Sequence, residues 1–196
     1  MRTVRRTACV RRRGLCYDMC MPDKTNNDRF FAAWPTAWGP MGAVAGDRGI
    51  RRVVLPHYQL KDLKDLLAWE HPGTVEDEGP FEAFVEQSRS YFSGRAADFS
   101  GVEVDLPPET AFFGIVYRAC RAIPAGRTVS YSGLAREIGR PDAARAVATA
   151  LSKNPTPLVV PCHRVTYANG EMGGFSAPGG IDQKRRMIAL ESRGQG

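Results

Sequence analysis

Residues 128–165 read TVSYSGLAREIGRPDAARAVATALSKNPTPLVVPCHRV, and two short apolar periods on either side of GRP decide how this stretch folds. Ser130 or Ser132 starts a helix that runs through Ile138, and Gly139-Arg140-Pro141 makes a turn that the helix cannot pass. Asp142 then caps a second helix, AARAVATALSK, which Asn154-Pro155 closes. Two short helices joined by a glycine-containing turn form a helix-turn-helix. Such a pair serves DNA binding in one reading and plain αα-hairpin packing in the other.

The second helix is built of small residues: Ala143, Ala144, Ala146, Ala148, Thr149 and Ala150. They leave little side chain to read base edges in a wide major groove. Instead they let the helix backbone approach a narrow surface such as the minor groove. Arg145 stands out of this alanine field as a phosphate contact, a solvated arginine, or a wedge that replaces a displaced base. Downstream, LVVPCHRV reads as a β-branched strand that Pro161 ends. Cys162 and His163 then point to opposite faces, so a water or a local bend must carry a proton between them. A nearby histidine lowers a thiol from its usual ~8.5 and supplies thiolate at neutral pH. On these residues alone Cys162 reads as a reactive nucleophile or as a buried structural thiol.

Upstream, Thr110 is placed to cap a helix carrying Phe112, Phe113, Val116, Tyr117 and Cys120, which ends before Pro124-Ala125-Gly126. Cys120 lies on the apolar stripe and reads as packing. Phe30 to Pro56 gives short β-rich runs, with Gly46-Asp47-Arg48-Gly49 as a hairpin turn. Leu60, Leu63, Leu66 and Leu67 predict a helix over 60–69. Phe81, Phe84, Val85 and Tyr91 or Phe92 predict another over 80–92. FSGVEVDLPPET reads as a strand and a proline-marked boundary near 107.

The fold expected is α+β. Residues 1–20 form a basic tail without hydrophobic periodicity, read as disordered. Residues 21–106 form a small supporting domain of sheet and helices with no catalytic cluster. Residues 107–196 form a mostly helical domain with the helix-turn-helix, carrying DNA binding and the active site.

The 196 residues are 43% hydrophobic and 24% charged, the balance of a globular protein. No apolar run approaches the ~18–20 residues of a membrane span, so no membrane role is expected. The net charge of +6 hides an uneven distribution. The tail holds six arginines against one acid, the middle is acidic, and residues 107–196 hold twelve basic against six acidic side chains. A basic C-terminal half fits a phosphate-binding surface or a solvated face. Three of the five cysteines, Cys9, Cys16 and Cys20, crowd into the tail with no secretory signal before them. That pattern predicts a reducing compartment: the cytoplasm, or the nucleus in a eukaryote. Met19 and Met21 mark an alternative start. The C-x6-C-x3-C spacing is looser than a zinc finger's, so no metal is expected, and His57 and His71 receive no role.

The run from Thr128 to Val165, continued by GEMGGFSAPGGIDQKRRMIALE, resembles the active-site domain of O6-alkylguanine-DNA alkyltransferases, also called methylated-DNA–protein-cysteine methyltransferases, over roughly residues 107–192. The resemblance implies direct, stoichiometric repair. Cys162 would accept the alkyl group from O6-alkylguanine in double-stranded DNA, with O4-alkylthymine as a further candidate. The thioether formed would consume the protein in one turnover, without a cofactor. His163 would act through water as the base, oriented by Glu191, while Asn154 fixes the turn before the active-site segment. Tyr131 would donate to guanine N3, with Lys184 in support. Arg145 would fill the gap left by the flipped nucleotide, and Ala144, Ala148 and Thr149 would lie along the minor groove. Ser176 and the backbone at Cys162 and Val165 would surround the base edge. Pro157, Gly173 and Phe175 would flank a pocket able to take an O6-benzyl group. A tryptophan at Gly173 would then fill that pocket, blocking benzyl more than methyl.

The chain departs from the family pattern at Ala148, where a glycine is common, and at FSAPGG, two residues longer than the common loop. No zinc ligands of the kind some members carry in the N-terminal domain are matched. A monomer is expected. Three other classes stand beside this reading. A binding-only lesion sensor would carry tryptophan at position 162. A winged-helix regulator would need polar side chains on the recognition helix. A cysteine hydrolase would need a spatially assembled Cys-His pair rather than adjacent residues.

Overall fold

The computed structural model describes residues 28–107 and 111–193. The basic tail with Cys9, Cys16, Cys20, Met19 and Met21, and Thr110, expected as a helix cap, lie outside the described residues.

Three strands, β1 (Asp28–Thr36), β2 (Gly39–Gly46) and β3 (Gly49–Val54), form an antiparallel meander. Asp47 and Arg48 make the predicted hairpin turn between paired Gly46 and Gly49. The period-two alternation of β1 sorts its side chains between two helices. Phe31 and Ala33 pack with Leu63 and Leu67 of α1 (Leu60–Glu70) on one face. Ala32 and Trp34 pack with Phe84, Val85, Tyr91 and Phe92 of α2 (Glu82–Phe92) on the other. Trp34 Nε1 donates to the buried Ser88 Oγ at 2.8 Å, so the indole dipole is satisfied inside this core.

A fourth strand, β4 (Val75–Glu76), runs parallel to β1 at the sheet edge, giving the order β3-β2-β1-β4. Two residues are too few for any periodicity to announce them. The strand expected in FSGVEVDLPPET does not form. Only Val104 bridges Ile50, with Ile50 N donating to Glu103 O at 2.9 Å and Asp105 N to Ile50 O at 2.9 Å. The far end of that β3 edge is already taken, because Val53 N donates to Pro155 O at 2.8 Å. Pro107 carries no N–H to extend the ladder.

The C-terminal part contains α3 (Phe112–Arg121), α4 (Tyr131–Glu137), α5 (Ala144–Ser152) and α6 (Gly180–Arg193). Strands β5 (Val129–Ser130) and β6 (Val165–Thr166) pair in parallel. The helix-turn-helix is α4 and α5. Of the two candidate serines Ser130 is the cap, its Oγ accepting from Gly133 N at 2.9 Å. Gly139, at φ +70°, closes α4 in the left-handed region, with Arg140 N bonded back to Ala135 O at 2.9 Å. Asp142 does not cap α5. Pro141 starts a 3-10 turn, Pro141–Ala143, so α5 begins one residue later than expected, after Ala143, which has no capping oxygen. Val147, Ala150 and Leu151 face the core with Val116, Tyr117 and the fully buried Cys120, the packing role read from the sequence.

LVVPCHRV is not a strand. Leu158 takes φ +78°, Val160 N turns back to Thr156 O at 2.9 Å, and Cys162–Arg164 form a 3-10 turn. The β-branched run marks burial rather than extension. Leu158 and Val159 enter the core of the N-terminal layer, while Val160 enters the C-terminal core. One tight turn is thus pinned between two cores, and it is the turn that presents Cys162. Among the described residues no helix is long and apolar enough to cross a membrane.

Candidate active site

Pro161, at φ −79° and ψ 62°, sits at the centre of an inverse γ-turn in which Cys162 N donates to Val160 O at 2.8 Å. This places Cys162 and His163 side by side on a 3-10 turn rather than on opposite faces of a strand. Asn154 locks the same turn from the end of α5. Its Nδ2 donates to Val160 O at 2.8 Å and to Cys162 Sγ at 3.2 Å, while its Oδ1 accepts from Thr156 N at 3.0 Å. Asn154 therefore touches the thiol itself, a contact the sequence reading did not include.

Cys162 is only 7% exposed and borders a cleft of about 300 Å³. Pro157, Phe175 and Ser176 line that cleft. So do Val53, Leu55 and Tyr58, from the half of the chain expected only to support. Gly173 does not line it. It is buried against Tyr131, where a Cβ would run into the hydroxyl and come within 2.6 Å of Cε2. The expectation for tryptophan at Gly173 is therefore corrected: any side chain there displaces Tyr131, so Gly173→Trp should abolish methyl and benzyl transfer alike. Equal mass shifts for methyl in the variant and the unaltered protein would contradict this.

Burial pushes the Cys162 thiol up; the Asn154 hydrogen bond, the Lys184 ammonium and nearby backbone N–H groups pull it part of the way back. The expected lowering by a neighbouring histidine does not occur, and the reason is the state of the imidazole. His163 is fully buried, and burial lowers it despite the raising effect of Glu191. A neutral imidazole carries no charge to stabilise thiolate. It is instead free to take a proton. Its Nε2 lies 2.8 Å from Glu191 Oε1, and a carboxylate only accepts, so Nε2 carries the hydrogen and Nδ1 the lone pair. Among the described residues His163 Nδ1 has no hydrogen-bond partner.

Glu191 collects five donors. Oε1 accepts from His163, from Tyr91 Oη at 2.9 Å and from Arg164 Nη2 at 2.9 Å. Oε2 accepts from Arg164 Nε at 3.0 Å and Gly126 N at 3.2 Å. Burial alone would raise this carboxyl, but His163 and Arg164 hold it at about 2. Arg164 and Tyr91 were missed in the sequence. Arg164 lay inside the quoted motif as an unassigned cation, whereas Tyr91 showed only an apolar helical face.

On the other side of the turn the fully buried Lys184 donates from Nζ to Val165 O at 2.6 Å and lies 5.8 Å over the Tyr131 ring. Burial pushes Tyr131 up to about 12, helped by Cys162, so its phenol stays protonated and able to donate. Tyr167, half exposed, packs its ring 5.4 Å from that of Tyr131. On α5, Arg145 and Thr149 face solvent, with Thr149 Oγ1 donating to Arg145 O at 3.0 Å. Ala144 and Ala148 are half-buried against the C-terminal core. His71, given no role, bonds Asp28 Oδ2 through Nδ1 at 2.6 Å, and His57 packs on Tyr58. No cluster of three or more potential metal ligands occurs among the described residues.

A family model described as 6-O-methylguanine DNA methyltransferase, DNA binding domain, matches residues 111–193. A methylated-DNA–protein-cysteine methyltransferase of Methanosarcina acetivorans is 35% identical over 164 residues, 83% of this chain and 97% of the relative. The chain belongs to the methylated-DNA–protein-cysteine methyltransferase family. A methyltransferase of this family from Mycolicibacterium paratuberculosis is 44% identical over 121 residues, 62% of this chain and 71% of the relative. The crystal structure of Mycobacterium tuberculosis OGT in complex with DNA superposes with a TM-score of 0.69 at 33% identity, covering 84% of this chain and 93% of that one. An O6-methylguanine-DNA methyltransferase from Pyrococcus kodakaraensis, 21% identical, shares the fold with a TM-score of 0.62 over 82% of this chain and 98% of its own. The methyltransferase fold, with an N-terminal sheet and a C-terminal helical part, is the α+β architecture read from the sequence.

Proposed function

We propose that the protein repairs O6-alkylguanine in duplex DNA by moving the alkyl group onto its own Cys162, once per molecule. The observation that carries this reading is a thiol at the edge of a cleft, backed by a neutral, buried imidazole that Glu191 orients. The thiol proton passes through a water to His163 Nδ1. Sγ attacks the alkyl carbon, the S–C bond forms and the C–O6 bond breaks. Its electron pair returns to the guanine, whose developing charge Tyr131 Oη meets with a hydrogen bond at N3. Lys184 and the Val165 carbonyl hold the floor beneath that ring. A thioether is stable to water, and no group among the described residues is placed to cleave it. No cofactor is required. O4-alkylthymine presents a similar alkyl ether and is a second candidate substrate.

O6 faces into the base stack, so the nucleotide must be extruded at a cost of a few kcal/mol. Arg145, on the solvent face of α5, is the wedge that offsets part of it. Small residues on the same helix favour approach along the minor groove, with affinity that is sequence-independent and salt-sensitive. A monomer suffices, because every site residue comes from one chain. Arg145→Ala should slow repair of a lesion in duplex by roughly 10-fold or more, while reaction with free O6-benzylguanine changes little. Equal losses on both substrates would place the defect in the active site instead. The benzyl ring would lie between Pro157 and Phe175, which both line the cleft.

The pH dependence follows from the raised thiol and the lowered imidazole. His163 stays neutral below the ordinary imidazole range of ~6.5, so the transfer rate should hold as pH falls from 8 to about 6 and decline only beyond that. His163→Ala should slow transfer at neutral pH by ~10²–10⁴-fold. It should also make the rate climb with pH as free thiolate accumulates. A variant whose rate and pH profile match the unaltered protein would remove His163 from the mechanism.

A further inference from the structure

We propose that Tyr91 is a positioning residue for alkyl transfer: reaching from α2, its hydroxyl shares Glu191 Oε1 with His163 Nε2 and so couples the N-terminal layer to the proton acceptor. The inference rests on the function proposed above. Tyr91 is buried and spans 100 residues of sequence to make this one bond, at 2.9 Å. Its ring is fixed on two sides, 5.1 Å from Phe92 and 5.9 Å from Phe99. The hydroxyl is thus delivered from α2 by the aromatic packing of the core on the N-terminal sheet.

The shared oxygen gives the bond a chemical consequence. Around the Glu191–His163 pair stand Lys184 from α6, Arg164 and Cys162 from the 3-10 turn, and Tyr91 from α2. Arg164 binds both carboxylate oxygens and anchors its guanidinium on Ile123 O at 2.6 Å. Tyr91 adds a neutral donor to the one oxygen that also faces the imidazole. Each donor on Oε1 draws negative charge away from Nε2–H and so disfavours the imidazolium. Burial keeps the Tyr91 phenol protonated well above its ordinary value, so it acts only as a donor here. Loss of the hydroxyl leaves the carboxylate to pull harder on Nε2–H, and the base becomes charged at higher pH.

Tyr91→Phe keeps the ring and removes only the donor. The acid limb of the pH–rate profile for transfer to Cys162, and the NMR titration of the His163 imidazole, should both move upward by roughly half a unit or more. Phe99→Leu removes packing from the same ring without touching the hydroxyl; it should lower the melting temperature and leave both titrations in place. Unmoved titrations in Tyr91→Phe, or an equal movement in Phe99→Leu, would reduce Tyr91 to a packing role and overturn the proposal. If the unaltered protein failed to alkylate Cys162, the proposed function would fall, while the imidazole titration would still decide whether Tyr91 tunes His163.

Discussion

Cys162→Ala is expected to abolish alkyl transfer while leaving duplex binding near its original strength. The only other cysteine among the described residues, Cys120, has no exposure, and burial raises its thiol well above the ordinary range. It can neither meet a substrate nor ionise at neutral pH. Arg145 and Thr149 on α5, the residues proposed to meet DNA, belong to a different element and do not depend on the sulfur. Duplex affinity by fluorescence anisotropy, alongside adduct mass, checks both halves of the expectation. Transfer retained in this variant would move the chemistry to another thiol, with Cys9, Cys16 and Cys20 the ones to map.

Arg164→Met should carry the largest cost in stability. The guanidinium is bidentate on the buried Glu191 carboxylate and donates at 2.6 Å to Ile123 O. Removing one partner of a buried pair leaves the other charge poorly compensated, at about 3–5 kcal/mol. For a chain of this size that corresponds to a fall in melting temperature on the order of 10 °C. The effect should also depend on pH. Because the Glu191 carboxyl is held at about 2, below its unfolded value of ~4.3, its contribution is fully present above the unfolded value and fades as pH drops towards 2. The gap between Arg164→Met and the unaltered protein should therefore narrow in acid. A gap constant from pH 7 to pH 3, or a melting temperature within 2 °C at pH 7, would show that the pair contributes little.

Helices α1, α2 and α3 were legible in the sequence because each buries a stripe that the spacing announces, whereas α6 was not read as a helix. Leu63 and Leu67 on α1, Phe84 and Val85 on α2, and Val116 and Cys120 on α3 fall where their periods put them. The Leu158–Val160 run misled because β-branched residues report burial, and a turn pinned between two cores is as buried as a strand. Asp142 misled because Pro141 inserted a 3-10 turn ahead of α5, a matter of backbone geometry that composition does not encode. Cys162, His163, Asn154 and Glu191 were named as a set by the family resemblance, and the structure joins them as two hydrogen-bonded pairs, Asn154 with Cys162 and His163 with Glu191, on adjacent residues of one turn. The sense of the thiol's shift was not recognisable, since it depends on how deeply the imidazole is buried. Tyr91 left no trace because its partner lies 100 residues away and only the packing of the two halves brings them together.

The most direct test of the account is the intact mass of the protein after incubation with an excess of duplex DNA carrying a single O6-methylguanine, followed by peptide mapping. The account requires a gain of one methyl group per molecule, located on Cys162, with repaired guanine appearing in equal amount and no second turnover. An unchanged mass, a methyl group on any other residue, or guanine released beyond one equivalent would contradict it.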